Sequence, residues 1–382
     1  MMGERETGPG HGLKIGIVGD ALAPNFNEAY ANQVRLLSRE LGAPVLTCND
    51  LGPLPLKRMG RYLIVNARFL RGGGHNRLLS LANGALFYPF VKLFERRCDV
   101  VFLSAGIDSG FLPILDARKC VPIINTLPYG DGDGPAAAFA HRFGPHMPAI
   151  VAQGQRIRAR LIDMALDAER IFVAYPWVDP ERFRYSEPPQ GDEFRILFAS
   201  APNSEGEGDD MFVDKGLPLL LEAFARFQQQ CPASLCLLWR GKYTEALRRT
   251  IDELGLWGRV EVIDRVADTP PLYARAHVTV TPFLNLKDSP EIPLSAVESL
   301  ACGRPVVTTD IAELAGLVAE YRCGCVAPPH PEGFLSALVE CRRGYSLYQG
   351  NCRRAAEELF SVSVGPVTQA LASLRQKGGR GS

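Results

Sequence analysis

Glu291 and Glu298 stand seven residues apart in a chain of 382, about two helical turns. Both carboxylates share one helix face if the helix begins near Glu291. The β-branched run His277–Val280 reads as a strand, and the Pro-, Asn-, Asp- and Ser-rich residues 281–290 read as a turn. Pro293 suits the first turn of a helix, where a missing N–H costs little, and Leu294, Val297 and Leu300 then recur every three residues. Gly303 and Pro305 stop that helix, and another strand follows over Pro305–Thr308. Free backbone N–H groups near Leu294 and Ser295 favour an anion such as a phosphate. Spacing alone fits two solvated glutamates on a surface helix equally well.

Lys215 is the second candidate. It precedes Gly216 and an amphipathic run in which Leu217, Leu220, Leu221, Phe224 and Phe227 share one face. A cation at a strand-to-helix turn can neutralise an anion; taken alone, such a lysine is more often a surface residue. Arg240 and Lys242 leave the C-terminal end of a predicted strand, Leu235–Trp239, as anion ligands or as solvated cations. Glu205, Glu207, Asp209 and Asp210 invite a divalent ion but lack the spacing of a calcium loop, so a solvated loop is the better reading and no metal is expected. Three consecutive glycines between Arg71 and His75 lack the strand-then-helix frame of a phosphate loop. Asp131 and Asp133 follow a predicted strand, Val121–Asn125, as an acceptor-side loop or a plain turn.

These residues need a framework of alternating strands and helices. Lys14–Val18, Val45–Thr47, Tyr62–Val65, Asp99–Ser104, Val121–Asn125, Ala149–Ala152 and Ile171–Ala174 are short apolar strands. Helices are predicted over Leu78–Leu93, Ile107–Ala117 and Arg156–Leu166, and around Ala31, Val34, Leu37, Ser38 and Leu41, whereas LGPLPLKRMGR reads as irregular. The opening is Rossmann-like without the G-x-G-x-x-G fingerprint. Tyr185–Glu193 is the clearest linker, and a second series of strands starts at Phe194. That gives domains over 12–188 and 189–362, final helices over Asn351–Phe360 and Val364–Leu374, and a C-terminal helical segment over 363–376. The length itself favours two domains.

Lys and Arg total 42 against 42 Asp and Glu, a formal charge of zero that argues against a dedicated nucleic-acid binder. Ten scattered cysteines without zinc spacing read as buried free thiols. No apolar stretch is long enough to span a bilayer and the N-terminus lacks a basic-then-apolar signal, so a cytoplasmic location is expected.

SPEIPLSAVESLACGRPVV, with Asp310–Glu313 after it, resembles the donor-site segment of retaining GT-B glycosyltransferases, the large group that includes sucrose synthases, phosphatidylinositol mannosyltransferases and lipopolysaccharide glycosyltransferases. DKGLPLLLEAF resembles their Lys–Gly–hydrophobic segment, and Val178, Asp179 and Phe183 match the signature that closes their first domain. The resemblance implies an α/β GT-B fold of two Rossmann-like domains facing a central cleft, with the last helix bracing the first domain. It implies a UDP- or GDP-sugar donor, a small-molecule, glycan or lipid-linked alcohol acceptor, and retention at the anomeric carbon without metal or cofactor. By resemblance Lys215 contacts the diphosphate, Glu298 the ribose hydroxyls and Glu291 the sugar, while the backbone of Val266 meets the base. The chain departs from the pattern at three places. Ser200–Ala201–Pro202 replaces the usual Gly-Arg pair, Leu127–Pro128–Tyr129 lacks the usual His, and Glu291 lies one residue too close to Glu298. Arg240 is the candidate replacement cation. A phosphorylase or hydrolase, and a non-catalytic sugar-nucleotide-binding subunit, are the alternatives. Aromatic and basic residues over 68–94 suggest a peripheral membrane contact.

Overall fold

The computed structural model describes residues 13–20, 22, 29–49, 51, 56–66, 87–107, 109–127, 134–200, 211–239, 244–286 and 289–360. These fall into two compact units, one ending at Ala174 and the other spanning Tyr175–Ser361. The predicted segment 363–376 lies outside the described residues.

The first unit is an eight-stranded sheet in the order β3-β4-β2-β1-β5-β6-β7-β8. Its strands are β1 (Ile15–Asp20), β2 (Val45–Asn49), β3 (Leu56–Met59), β4 (Tyr62–Asn66), β5 (Val100–Ser104), β6 (Cys120–Ile124), β7 (Ile150–Ala152) and β8 (Ile171–Val173). All neighbours pair in parallel except β3, an antiparallel edge strand on β4. The central strands are buried on both faces, as a parallel sheet covered by helices requires. Helix α1 (Ala29–Leu41) turns Ala31, Val34, Leu37 and Ser38 inward, and α2 (Gln155–Asp163) does so with Ile157 and Leu161.

Two expectations for this unit need correction. β3 lies in the stretch read as irregular: its exposed Leu56, Lys57 and Arg58 show no buried alternation, because an edge strand needs only one paired side. The helix expected over Ile107–Ala117 is absent among the described residues, which form turns and one 3-10 turn at Ala117–Lys119. Gly110 and Pro113 weaken a helix there, the first by backbone entropy and the second by its missing N–H.

The second unit holds a six-stranded, all-parallel sheet in the order β11-β10-β9-β12-β13-β14. The strands are β9 (Phe194–Phe198), β10 (Ala233–Leu238), β11 (Val260–Ile263), β12 (Val278–Thr281), β13 (Val306–Thr309) and β14 (Gly324–Ala327). Numbered within the unit the order is 3-2-1-4-5-6, the doubly wound arrangement whose direction of winding reverses between β9 and β12. Its helices are α3 (Leu217–Phe227), α4 (Thr244–Glu253), α5 (Pro270–Arg275), α6 (Leu294–Ala301), α7 (Glu313–Tyr321), α8 (Pro331–Arg343) and α9 (Tyr345–Leu359). The amphipathic face predicted for α3 is in the core, with Leu217, Leu220, Leu221 and Phe224 all fully buried. The sequence reading omitted α7 and began α9 at Asn351 rather than Tyr345. Neither N-cap residue has a capping side chain of its own, and each run is interrupted by a glycine, Gly316 in α7 and Gly350 in α9, so the usual start signal is missing.

Residues 175–193 pack on this unit rather than hanging free. Val178 N–H donates to the Phe360 carbonyl (3.1 Å), and Phe183 is edge-on to Tyr273, with ring centroids 6.0 Å apart. Arg304, fully buried, gathers the arm by its guanidinium. Nε donates to the Tyr273 carbonyl (3.0 Å), Nη1 to the Ser186 carbonyl (2.7 Å), and Nη2 to the Ser186 hydroxyl (2.7 Å) and the Glu187 carbonyl (2.9 Å). His277 makes the neighbouring clasp: Nδ1 accepts from Arg195 N–H (3.0 Å), so Nε2 carries the proton toward the Pro189 carbonyl at 3.1 Å.

Candidate functional site

Ligands of doubly wound sheets gather outside the carboxyl ends of the strands, where the winding reverses. In the second unit that place is bounded by Ser200 after β9, by the loop after β12, and by the first turn of α6. Ser200 Oγ lies 3.0 Å from Ser295 Oγ, so two hydroxyls meet where strand end and helix start converge. No side chain caps α6, and its N-cap is Pro293 in an extended conformation (φ −61°, ψ 131°). The helix therefore offers backbone donors and the positive end of its dipole to an anion.

Pro293 corrects the placement of the paired carboxylates. A residue before proline is driven out of the helical region, so α6 begins at Leu294 and Glu291 lies ahead of the helix. Glu298 is inside it, buried, with Oε2 accepting from the Tyr273 hydroxyl at 2.9 Å. Burial and the facing carboxylate push the Tyr273 phenol well above its ordinary range, so it remains a donor. Glu291 turns elsewhere: its Oε2 accepts from the backbone N–H of Glu313 (2.7 Å), capping the start of α7, and its carbonyl accepts from Leu314 N–H (3.2 Å). Burial raises the Glu291 carboxyl above the usual range, opposed by the Glu313 N–H and reinforced by the Glu313 charge. Glu313 in turn accepts from the Tyr175 hydroxyl at 3.1 Å.

Lys215 is held in this region by a turn that only glycine completes. Gly216 has φ +69°, and a Cβ there would stand 1.8 Å from the Pro282 carbonyl oxygen. The close approach puts Lys215 Nζ 5.3 Å from the centroid of the Phe283 ring, with the side chain largely buried. Leu284 N–H donates to the Asp214 carbonyl (2.8 Å), and Asn285 Nδ2 donates to the Asp214 carboxylate. The Lys215 turn is thus fastened to the loop that leads into α6. A buried lysine brought to a helix start and two hydroxyls can receive a phosphate chain.

Ser295 and Lys215 border this end of the sheet, and Glu298 lies three residues further along α6 against Tyr273. Leu294 is half-buried at the first position of α6, and Val266, in the loop after the edge strand β11, is 60% exposed. Arg240 and Lys242 lie outside the described residues, as do Glu205, Glu207, Asp209, Asp210, Asp131, Asp133 and the three-glycine loop. Among the described residues no group of three or more His, Cys, Asp or Glu side chains could hold a metal ion. Ser200 and Tyr273 were missed by sequence reasoning: one replaces an expected arginine, and the other is an ordinary core aromatic until its hydroxyl is seen on Glu298.

Residues 210–343 match a family model described as "Glycosyl transferases group 1". The segment covers Lys215, both glutamates and α3 to α8. Similar solved structures include a glycosyltransferase from Rickettsia africae ESF-5 at 14% identity and TM-score 0.65, with 96% of this chain and 97% of that one aligned. A sucrose-phosphate synthase from Thermosynechococcus elongatus aligns at 15% identity and TM-score 0.69 over 96% of this chain and all of that one. Anabaena HepE, solved in complex with UDP, aligns at 14% identity and TM-score 0.62 over 96% of this chain and 100% of that one. The fold is GT-B. Curated protein sequences give no match. At these identities the GT-B likeness speaks to architecture, and the site residues carry the chemistry.

Proposed function

We propose that the protein is a glycosyltransferase that moves a sugar from a nucleoside-diphosphate sugar to an alcohol. The single observation that carries this reading is the pairing of an uncapped helix start, with Ser295 and Ser200 at its mouth, and the buried Lys215. Phosphate oxygens of the donor sit against the α6 N–H groups and the two hydroxyls, with the Lys215 ammonium on the leaving diphosphate. Glu298, held by Tyr273, accepts from the ribose hydroxyls. UDP is the first donor to test, since structural relatives are solved with UDP and with UDP-glucose, and GDP the second.

The reaction proceeds with retention. The acceptor hydroxyl attacks the anomeric carbon on the face from which the diphosphate leaves. As the C–O bond to the leaving group breaks, a phosphate oxygen takes the acceptor proton. Lys215 and the helix start stabilise the charge that develops, the role a divalent ion fills elsewhere, so the proposed chemistry is metal-independent. Glu291 acts indirectly, by fixing α7 and the loop before α6. The acceptor belongs to the first unit by the general logic of the fold, and a lipid-linked acceptor would bring a peripheral membrane contact with it. A chain with ten thiols suits the reducing cytoplasm.

Calorimetric titration with UDP, GDP and their sugar conjugates tests the donor, and turnover with an alcohol panel tests the transfer. Lys215→Ala should lower turnover by about a hundredfold, the scale of one lost electrostatic contact to a leaving group, without loss of fold. Unchanged turnover sinks the role of Lys215. Consumption of donor without added alcohol would instead mark a hydrolase or, with orthophosphate, a phosphorylase. Binding without turnover would mark a non-catalytic subunit.

A further inference from the structure

The chain passes between its two units twice, after Ala174 and after Ser361. The first passage is fixed on both sides of a single peptide. Ala174 N–H donates to the Ala152 carbonyl at the end of β7 (3.0 Å), so it belongs to the first sheet. Tyr175, the next residue, is held by the second unit: its hydroxyl donates to Glu313 Oε1 at 3.1 Å. Pro176 follows, and a residue before proline is biased to extended backbone, which narrows the freedom of Tyr175 itself. The Tyr175 ring lies edge-on to Phe360, the C-cap of α9, with centroids 6.2 Å apart. The Phe360 carbonyl accepts from Val178 N–H (3.1 Å). Phe360 adjoins Ser361, so one ring pair serves both passages.

From Tyr175 the bonds run on to the carboxyl end of the second sheet. Glu313, which accepts from Tyr175, is the first residue of α7, and its own N–H donates to Glu291 Oε2 at 2.7 Å. Leu314 N–H donates to the Glu291 carbonyl at 3.2 Å, so side chain and backbone of Glu291 are both engaged. Glu291 stands two residues ahead of Pro293, the N-cap of α6. Glu291 and Glu313 are both buried, which shields these bonds from competing water. Burial and the Glu313 charge push the Tyr175 phenol above its ordinary range, so it stays a donor through neutral pH.

We propose that Tyr175 is a positioning residue: through Glu313 and Glu291 it ties the peptides that join the two units to the loop that sets the start of α6. A displacement at the passages and a displacement at that loop are then one event rather than two. Residues at such passages act on turnover from a distance, because they set the alignment of what each unit carries. The consequence for transfer rests on the donor reading given above, with donor phosphates at α6 and acceptor on the first unit. The tether itself does not depend on it.

The test compares the full chain with Tyr175→Phe, Glu313→Ala and the double variant. Tyr175→Phe keeps the ring against Phe360 and removes only the hydroxyl. Without ligand, amide hydrogen exchange across 311–316 reports the Glu313 and Leu314 N–H groups that Glu291 holds. Exchange there should quicken about tenfold in Tyr175→Phe, the scale of one hydrogen bond to a charged group, while β9 and β10 exchange as in the wild type. The double variant should exchange no faster than the faster single one, because both substitutions break the same bond. In transfer assays Tyr175→Phe should lower kcat about tenfold and leave the Kd for UDP or GDP within about twofold. The proposal is overturned by unchanged exchange across 311–316, by equal quickening in β9 and β10, or by additive effects in the double variant. An unchanged kcat, or a loss of nucleotide affinity as large as the loss of kcat, would overturn the positioning role. If neither nucleotide binds the wild type, the donor reading falls, and the exchange measurement, which needs no ligand, still decides the tether.

Discussion

Replacing Arg304 by Met removes the guanidinium that clasps the arm 186–187 to α5 while nearly preserving the side-chain volume. Four of its contacts lie between 2.7 and 3.0 Å, to three carbonyl oxygens and one hydroxyl. At about 1 kcal/mol net for each, the loss approaches 4 kcal/mol. Removing the cost of burying a charge returns part of that, so the expected loss is about 2–4 kcal/mol. For a unit of this size that lowers the melting temperature by roughly 5–15 °C. The effect should reach the proposed donor site, because Tyr273 holds Arg304 by its carbonyl and Glu298 by its hydroxyl. Arg304→Lys keeps the charge but has no planar fork to span three directions, and should recover little. Urea denaturation with nucleotide titration on the same variants is the assay. A loss below about 1 kcal/mol in both variants would refute the reasoning, since it would mean the arm holds without its pin.

Other perturbations follow the same geometry. Tyr273→Phe removes one hydrogen bond that orients the Glu298 carboxylate, so KM for the donor should rise about tenfold with kcat little changed, read in initial-rate assays; an unaltered KM would separate Glu298 from donor binding. Gly216→Ala forces a Cβ into the Pro282 carbonyl at a positive φ and should cost more than about 2 kcal/mol in a denaturant titration. Burial lowers the pKa of His277 from its ordinary 6.5. Below that pH the unfolded chain takes up the proton first, so stability is full above about 6.5 and falls as pH drops toward the folded value. The slope is at most about 1.4 kcal/mol per pH unit. Protonation also ends acceptance from Arg195 N–H. His277→Gln should flatten that slope between pH 6.5 and 5 in thermal melts.

The alternation of strands and helices was legible because parallel strands buried on both faces are unbroken apolar runs, as in Val100–Ser104 and Val306–Thr309. Helix α3 was legible by its period. What local pattern hides is whatever depends on a distant partner. β3 is a strand only because Tyr62–Asn66 accepts it at an edge. Glu291 and Glu298 look like a matched pair along the chain, yet one proline sends the first to the start of α7 and leaves the second on Tyr273. Lys215 was found by its Gly216 neighbour, but the reason for that glycine, the Pro282 carbonyl, lies far along the chain. Ser200 carried no signal, since its meaning is the Ser295 hydroxyl opposite.

The clasp formed by Arg304 and His277 has a bearing on how such a chain can be cut and rejoined. Composition marks the polar stretch before Phe194 as a natural seam, but a graft made there would strip both side chains of Ser186, Glu187 and Pro189, the acceptors they were built around. The inheritable module of the second half therefore starts at Tyr175. Exchange of halves between relatives would succeed only where that arm travels with the sheet it wraps.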